Sequence, residues 1–466
     1  MKRQSILLLF LAIATMAIAG DYGKYYKDLP VALNQPSAPT IPDRTVTVTD
    51  FGAKGDGITD NTEAFRKAIS QLNKQGGGHL NVPAGIYLTG RIQLKSHIDL
   101  HLERNAILLA SPERSLFIKK DEKTGKLDTK ATPAITASKC TDVSITGEGI
   151  IDGNGKWWRA AKREKMSDTE WKELNAMGGT TADNGKLWYP FDLKHYDNLA
   201  TTYEEQEKMR AHLIRLTDCE RILIKGVTVQ NSPKFHIVPQ RCSHVVIDGV
   251  TVRCPWNAQN GDGIDLMQCR EVLIVNNTVD VGDDGICLKG GVAMEGVKYG
   301  PCENILITDN TVFHAHGGFV IGSEFSGGMF NIVVRSNTFS GTDTGLRFKS
   351  GAGRGGTTRD IHISDIYMSD IKGEAITFET TYADRPVGSN VNNRPTVADF
   401  IPEFSDIHIS RVTCRGAKTA IKAKGTKEMI HDITVDNSIF FYTKSATDID
   451  DPAMVQQKGV EMKTYK

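Results

Sequence analysis

The chain of 466 residues has no excess charge of either sign: Lys plus Arg and Asp plus Glu number 56 each. Such a balance gives no broad field for nucleic acid or an anionic membrane surface, so an acidic ligand must be met by local cations. Beyond the N-terminal segment there is no apolar run long enough to cross a bilayer. No cysteine follows Ala17-Ile18-Ala19, which argues against a lipid anchor at that point. The segment itself joins a basic end, Lys2 and Arg3, to an apolar run from Ile6 to Ile18 and that small-x-small sequence. This pattern predicts a signal peptide over residues 1–19. The mature protein is then exported, periplasmic in a two-membrane bacterium or secreted by a one-membrane one, with no membrane association. Residues 20–45 carry several prolines and little periodicity and read as a lead-in segment.

Eight cysteines in an exported chain suggest disulfides. Their placement argues for a different use. Cys140, Cys219, Cys242, Cys269 and Cys302 each open the same strand phrase, so five thiols occupy one position of a repeat. A buried thiol is a comfortable small hydrophobe, and a stacked internal ladder is expected. Disulfides between neighbouring rungs are the alternative.

The repeat itself is a triplet of strand residues: Val143-Ser-Ile145, Ile222-Leu-Ile224, Val245-Val-Ile247, Val272-Leu-Ile274, Ile305-Leu-Ile307, Ile332-Val-Val334, Ile361-His-Ile363, Ile407-His-Ile409 and Ile433-Thr-Val435. Most recur every 23 to 33 residues, the length of one coil of a parallel β-helix. A second strand follows several of them, and Asn277, Asn310 and Asn337 each precede its Thr, which predicts an Asn ladder at a turn. A sandwich or propeller does not explain one phrase repeated at this pitch. The fold class is therefore all-β, a parallel β-helix over residues 46–466 as one domain. Its first coil needs a cover. Asp60-Asn-Thr-Glu63 reads as a capping box for a helix whose apolar face is Ala64, Phe65, Ala68, Ile69 and Leu72. One interruption, at about 151–211, holds Trp157, Trp158, Trp171 and Trp188 with helical periodicity. It is either a lid with its own small core or a cleft wall whose rings stack on sugars. Trp256, just before Asn260, favours a shared cleft.

A third strand aligns on glycine in successive coils: Gly263-Ile-Asp-Leu-Met267, Gly285-Ile-Cys-Leu-Lys289, Gly318-Phe-Val-Ile-Gly322 and Gly345-Leu-Arg-Phe-Lys349. The first and third positions after the glycine are apolar and face the core. The other side carries Asp265, Lys289, Arg347 and Lys349, and the preceding turns carry Asp262, Asp283 and Asp284, with His316 in Ala315-His316-Gly317. Coils stack about 4.8 Å apart, which brings the three aspartates together. Carboxylates this close cannot all ionise, so at least one is raised and can give a proton while its neighbours activate water. Each Asp taken alone is ordinary turn chemistry. Together, beside fixed cations, they suit acid–base hydrolysis of an acidic sugar polymer. Calcium held by the carboxylates, with Arg347 or Lys349 as the base of a lyase, remains a competing reading of the same residues. A non-catalytic β-helix that binds polysaccharide is a third.

These residues resemble a known family, the polygalacturonases of glycoside hydrolase family 28, over roughly Val46 to Phe440. Members show Asn-Thr-Asp, Gly-Asp-Asp, Gly-His-Gly and Arg-Ile-Lys in this order. The chain has Asn260-Gly261-Asp262, Gly282-Asp283-Asp284, Ala315-His316-Gly317 and Arg347-Phe348-Lys349, departing at Gly261, Ala315 and Phe348. The stretch Phe51 to Asp60 is shared more widely among pectin-acting β-helices. The resemblance implies a right-handed, pectin-lyase-like solenoid that hydrolyses α-1,4-galacturonosidic bonds with inversion and without cofactor or metal. It assigns the general acid to Asp283, water activation to Asp262 and Asp284, and support of the acid's ionisation to His316. Arg347 and Lys349, with Asn260, are the substrate-binding residues. The Arg/Lys pair favours homogalacturonan over rhamnogalacturonan, and the segments after Gly317 and Gly345 look most like bacterial exo-acting members. The expected partner is an acidic plant cell-wall polysaccharide or its oligogalacturonides, met by a monomer.

Overall fold

Because each repeated triplet alternates about one inward-pointing pair, it stacks on the next in strict register. Ile222 pairs with Val245, Val245 with Val272, Val272 with Ile305 and Ile305 with Ile332, all in parallel. A computed structural model describes residues 22–120, 123–125, 127–182, 184–190, 207, 209–382 and 399–465. The signal segment expected over residues 1–19 lies outside them. In the described residues 32 strands join into one hydrogen-bonded set that winds as a right-handed parallel β-helix. The interior is a column of aliphatic side chains that includes an aromatic group, Phe319, Phe348, Phe378 and Phe404, and continues beyond it to Ile433, Phe440 and Val455. Phe348 and Phe378 stack with centroids 4.4 Å apart and planes 9° from parallel. Phe348 is thus an interior ring, which explains an aromatic residue between Arg347 and Lys349.

Both ladders form. Asn310 Nδ2 donates to Asn337 Oδ1 at 3.0 Å, Asn277 Nδ2 to Asn310 Oδ1 at 2.9 Å, and the backbone N–H of Val250 to Asn277 Oδ1 at 2.8 Å. This series satisfies buried turn groups that would otherwise lack partners. All eight cysteines are free thiols. Several of the ladder donate to carbonyls of the preceding coil, such as Cys242 to Leu216 at 3.3 Å and Cys269 to Pro239 at 3.3 Å.

Three expectations need adjustment. The helix Thr62–Lys74 buries Ala64, Phe65, Ala68, Ile69 and Leu72 as expected. It does not start with a capping box: the N-cap is Asn61, whose side chain is drawn away to Lys54 and Leu88. Asp60 Oδ1 accepts from the Thr62 N–H at 3.0 Å instead, and Glu63 pairs with Arg66. Second, the lead-in is a strap. Tyr22, Tyr25, Tyr26, Leu29, Val31 and Leu33 pack on Leu223, Val246, Leu273, Leu306 and Val333, the outward residues of five triplets. Those strands are apolar on both faces because both are covered. Third, among its described residues the tryptophan-rich interruption contains a nine-residue helix, Asp168–Ala176, and also a three-stranded antiparallel sheet over Ala161–Lys162, Thr180–Ala182 and Leu187–Tyr189. Trp158 and Trp188 are buried as small cores: Trp158 packs edge-on to Phe117 at 5.5 Å, and Trp188 Nε1 donates to the Gly178 carbonyl at 2.7 Å. Trp157 and Trp256 remain exposed, and Trp171 is half-buried.

Candidate active site

The third strands place the functional side chains by register. Ile264 pairs with Ile286, Ile286 with Phe319, and Phe319 with Leu346. Two residues before each stand Asp262, Asp284, Gly317 and Thr344; three before stand Gly261, Asp283, His316 and Asp343. Backbone bonds lock the turns: Gly263 N–H donates to the Asp284 carbonyl at 2.9 Å, and His316 N–H to the Asp283 carbonyl at 2.8 Å. Close packing requires glycine at two positions. A Cβ on Gly282 would lie 2.5 Å from the Ala258 carbonyl oxygen, and one on Gly317 2.5 Å from Val320 Cγ2 and 3.2 Å from Arg347 Cβ. The first lets the Trp256 loop lie against the Asp283 turn; the second gives Arg347 its room.

The structure brings together all of the expected acidic and basic residues. Asp283 Oδ1 is 3.0 Å from His316 Nδ1, and His316 Nε2 is 3.8 Å from Asp343 Oδ2. Asp284 accepts from Lys349 Nζ at 2.7 Å on one oxygen and from Arg347 Nη1 at 3.1 Å on the other. Arg347 and Lys349 therefore do not stand as free surface cations; they hold a buried carboxylate. Lys349 lies over the Tyr382 ring at 5.0 Å and Arg347 at 5.9 Å. Asn260 is placed differently from the rest. Its Oδ1 accepts from Arg210 Nη2 at 2.9 Å, which ties the turn to the segment before His212.

The four aspartates separate into two electrostatic classes. Burial, then the charges of Asp265 and Asp283, push Asp262 well above the ordinary carboxylate range. Burial raises Asp265 to about 7, against the pull of Lys289. Burial also acts on Asp283, but the His316 hydrogen bond and charge, with Lys349 and Arg347, outweigh it and hold Asp283 well below that range. Asp284 is likewise lowered, because Lys349 and Arg347 overcome its burial. The raised carboxyl expected from crowding is thus Asp262, with Asp265 beneath it, and not Asp283. Asp283 is the most accessible of the four, its side chain 18% exposed against 1% for Asp284 and 0% for Asp265.

Ligand atoms of Asp283, Asp284 and His316 all lie within 4.8 Å of one another, a spacing that could seat a cation. Both Asp284 oxygens are already taken by Lys349 and Arg347. A hard cation there would have to displace two fixed positive charges, so these residues fit a metal poorly.

Sequence reasoning placed Lys289 on this face but missed Lys165 and Phe235. Lys165, in the interruption, is half-buried and has no ion-pair partner among the described residues. Burial lowers its ammonium, and the charges of Asp283 and Asp343 act against that. Lys165 is therefore within electrostatic reach of the acidic cluster. Lys289 sits between Asp265 at 3.6 Å and Glu324 at 3.7 Å. Register counting identifies Lys289 and Phe235 as groove positions; nothing in the sequence phases Lys165, which lies off the repeat.

Comparison with known proteins agrees with this geometry. The model for glycosyl hydrolases family 28 matches residues 162–457, more than half of the chain. A second model, rhamnogalacturonase A/epimerase, pectate lyase-like, matches residues 45–185. The chain is 31% identical over 414 residues to a probable polygalacturonase of Vitis vinifera, covering 82% of this chain and 76% of that protein. It is 27% identical over 423 residues to an exo-poly-alpha-D-galacturonosidase of Dickeya chrysanthemi, covering 88% and 69%. Its structure is similar to that of a hyperthermoactive exopolygalacturonase from Thermotoga maritima, with a TM-score of 0.73, 29% identity and coverage of 92% and 94%. Repeat, register and comparisons lead to one statement: the chain is a glycosidase and belongs to glycosyl hydrolases family 28.

Proposed function

We propose that the protein is an exported hydrolase of α-1,4-galacturonosidic bonds in polygalacturonate, inverting and acting from a chain end. The observation that carries this reading is the pairing of Asp284 with Lys349 and Arg347 one rung from Asp262, beside the accessible Asp283. Acid, base and carboxylate-binding cations are then within one side of the groove, as a uronate substrate requires. Asp283 gives its proton to the leaving oxygen. Asp262 and Asp284 take the proton of the attacking water. Arg347 and Lys349 bind the carboxylate of the sugar at the bond.

In the free protein Asp262 is the carboxyl pushed up and Asp283 the one held down, whereas the reaction needs the proton on Asp283. Substrate supplies the difference. A uronate carboxylate on Arg347 and Lys349 offsets two of the charges that keep Asp283 ionised, and it excludes water. Both changes raise Asp283, so a proton already in the cluster shifts to it, with no net uptake. His316 then holds the Asp283 carboxyl in place through its 3.0 Å contact.

Exo action is supported by Lys165, whose charge acts on Asp283 from the interruption, and by likeness to relatives named for exo action. Export rests on the pattern of residues 1–19. The test is a time course on polygalacturonate. Mono- or digalacturonate as the sole early product, without ultraviolet-absorbing unsaturated sugar, is expected. A rapid viscosity drop with longer oligomers first would overturn exo action; unsaturated products would make the enzyme a lyase.

A further inference from the structure

Arg347 and Lys349 lie on one side of the acidic cluster, yet every sugar of a galacturonan carries a carboxylate. The opposite side is built from the preceding coils. Ile237 pairs with Ile264, and Ile214 with Ile237. Phe235 therefore stands one rung before Asp262, and Lys234 two rungs before Asp283 in the same column. The link is direct, since His236 N–H donates to the Asp262 carbonyl at 3.0 Å.

Phe235 is a half-buried ring between two ammonium groups. Lys234 Nζ is 5.7 Å from its centroid and Lys289 Nζ 5.5 Å. The His212 ring lies 4.7 Å from it, and His212 Nδ1 is buried without a hydrogen-bond partner. Lys289 has Asp265 and Glu324. Lys234 has no ion pair among the described residues, and neither does Arg215, whose guanidinium meets only the Gln240 amide oxygen. Arg215 lies in the outward column that also carries Asp265 and Arg347. Half-buried cations are normally matched by carboxylates of their own protein. Here two are left unmatched around an aromatic face, next to carboxylates that would repel an incoming anion.

We infer that Lys234, assisted by Arg215 and with Phe235 as its apolar floor, binds the carboxylate of a second uronate on the side of the cluster opposite Arg347 and Lys349. The site rests on the galacturonan reading above and extends it: the two sugars flanking the cleaved bond are each held by their own cations. The ring face of the sugar lies on Phe235, which an uncharged hexose could also use; the carboxylate is what Lys234 selects.

The experiment measures trigalacturonate binding by calorimetry in an Asp283→Asn background. Lys234→Met keeps the aliphatic stem over Phe235 and removes only the charge. It is expected to weaken binding about tenfold or more, while Lys234→Arg keeps binding near the parent value. The neutral α-1,4-galactotriose should bind Lys234→Met and the parent alike. Thermal melting of each variant checks that it is folded; if Lys234→Met melts early, Arg215→Met is expected to show the same carboxylate-dependent loss and decides in its place. Binding of trigalacturonate within twofold of the parent, with Arg347→Ala clearly weakened, would overturn the second site and leave the galacturonan reading standing. No binding of trigalacturonate by the parent would overturn that reading and the site with it.

Discussion

His316 Nδ1 meets Asp283 Oδ1 at 3.0 Å, and this contact links the accessible carboxylate of the cluster to the next coil. Asp283→Asn preserves the shape of that contact and removes the transferable proton. Turnover of polygalacturonate should fall by roughly 10²–10⁴-fold, with oligogalacturonide binding largely retained. Steady-state kinetics and calorimetry on the same variant check this; near-wild-type turnover would remove Asp283 from the role of donor.

Only one guanidinium nitrogen of Arg347 is engaged by Asp284, at 3.1 Å, which leaves the rest of the fork for substrate. Arg347→Lys can keep the pair and lose the second contact. A fall in kcat/KM of roughly ten- to a hundredfold on polygalacturonate is expected, with little change in melting temperature. Equal kinetics for the variant and the parent would make Arg347 a structural partner of Asp284 only.

With both Asp284 oxygens taken by Lys349 and Arg347, the cluster has little to offer a cation. Activity should survive exhaustive chelation unchanged, and added calcium should not raise it. Loss in chelator restored by calcium would return the Asp283, Asp284 and His316 group to the role of a metal site.

Asp265 is fully buried and raised to about 7 by that burial, so its effect on stability depends on pH. A folded state that binds a proton more tightly than the unfolded chain loses stability as pH rises from the ordinary carboxylate value, about 3.9, through the folded one. Below both values the group contributes no penalty. Asp265→Asn removes this slope: the melting temperature of the variant, relative to the parent, should climb between about pH 4 and 7 and level off above. A difference that is flat across this window would show that Asp265 is not held protonated. Because Lys289 loses one of its partners in the variant, the slope and not the offset is the readout.

Much of this molecule was legible because it repeats. The triplet from Ile222 to Ile224 predicts its neighbours, and counting back from Ile264, Ile286 and Phe319 places Asp262, then Asp283 with Asp284, then His316 on three adjacent rungs from the sequence alone. The Asn277 and Cys242 ladders follow from the same phase. What lay off the repeat was not legible. Leu223 and Val246 announce a covered outer face, but their sequence does not say that Tyr22 and Leu29 cover it. The reach of Lys165 to the cluster depends on how an irregular segment folds back. The ionisation order was also hidden: proximity alone requires one raised carboxyl, and the partners His316, Arg347 and Lys349 decide that it is Asp262 rather than Asp283.

The central claim is a single displacement in which Asp283 protonates the leaving oxygen while Asp262 and Asp284 direct water to the opposite face. Proton NMR of the first products from polygalacturonate tests it most directly. The account predicts a reducing end that appears first as the β-anomer and only later equilibrates with α. An α-anomer formed first, or an unsaturated sugar in its place, would contradict it.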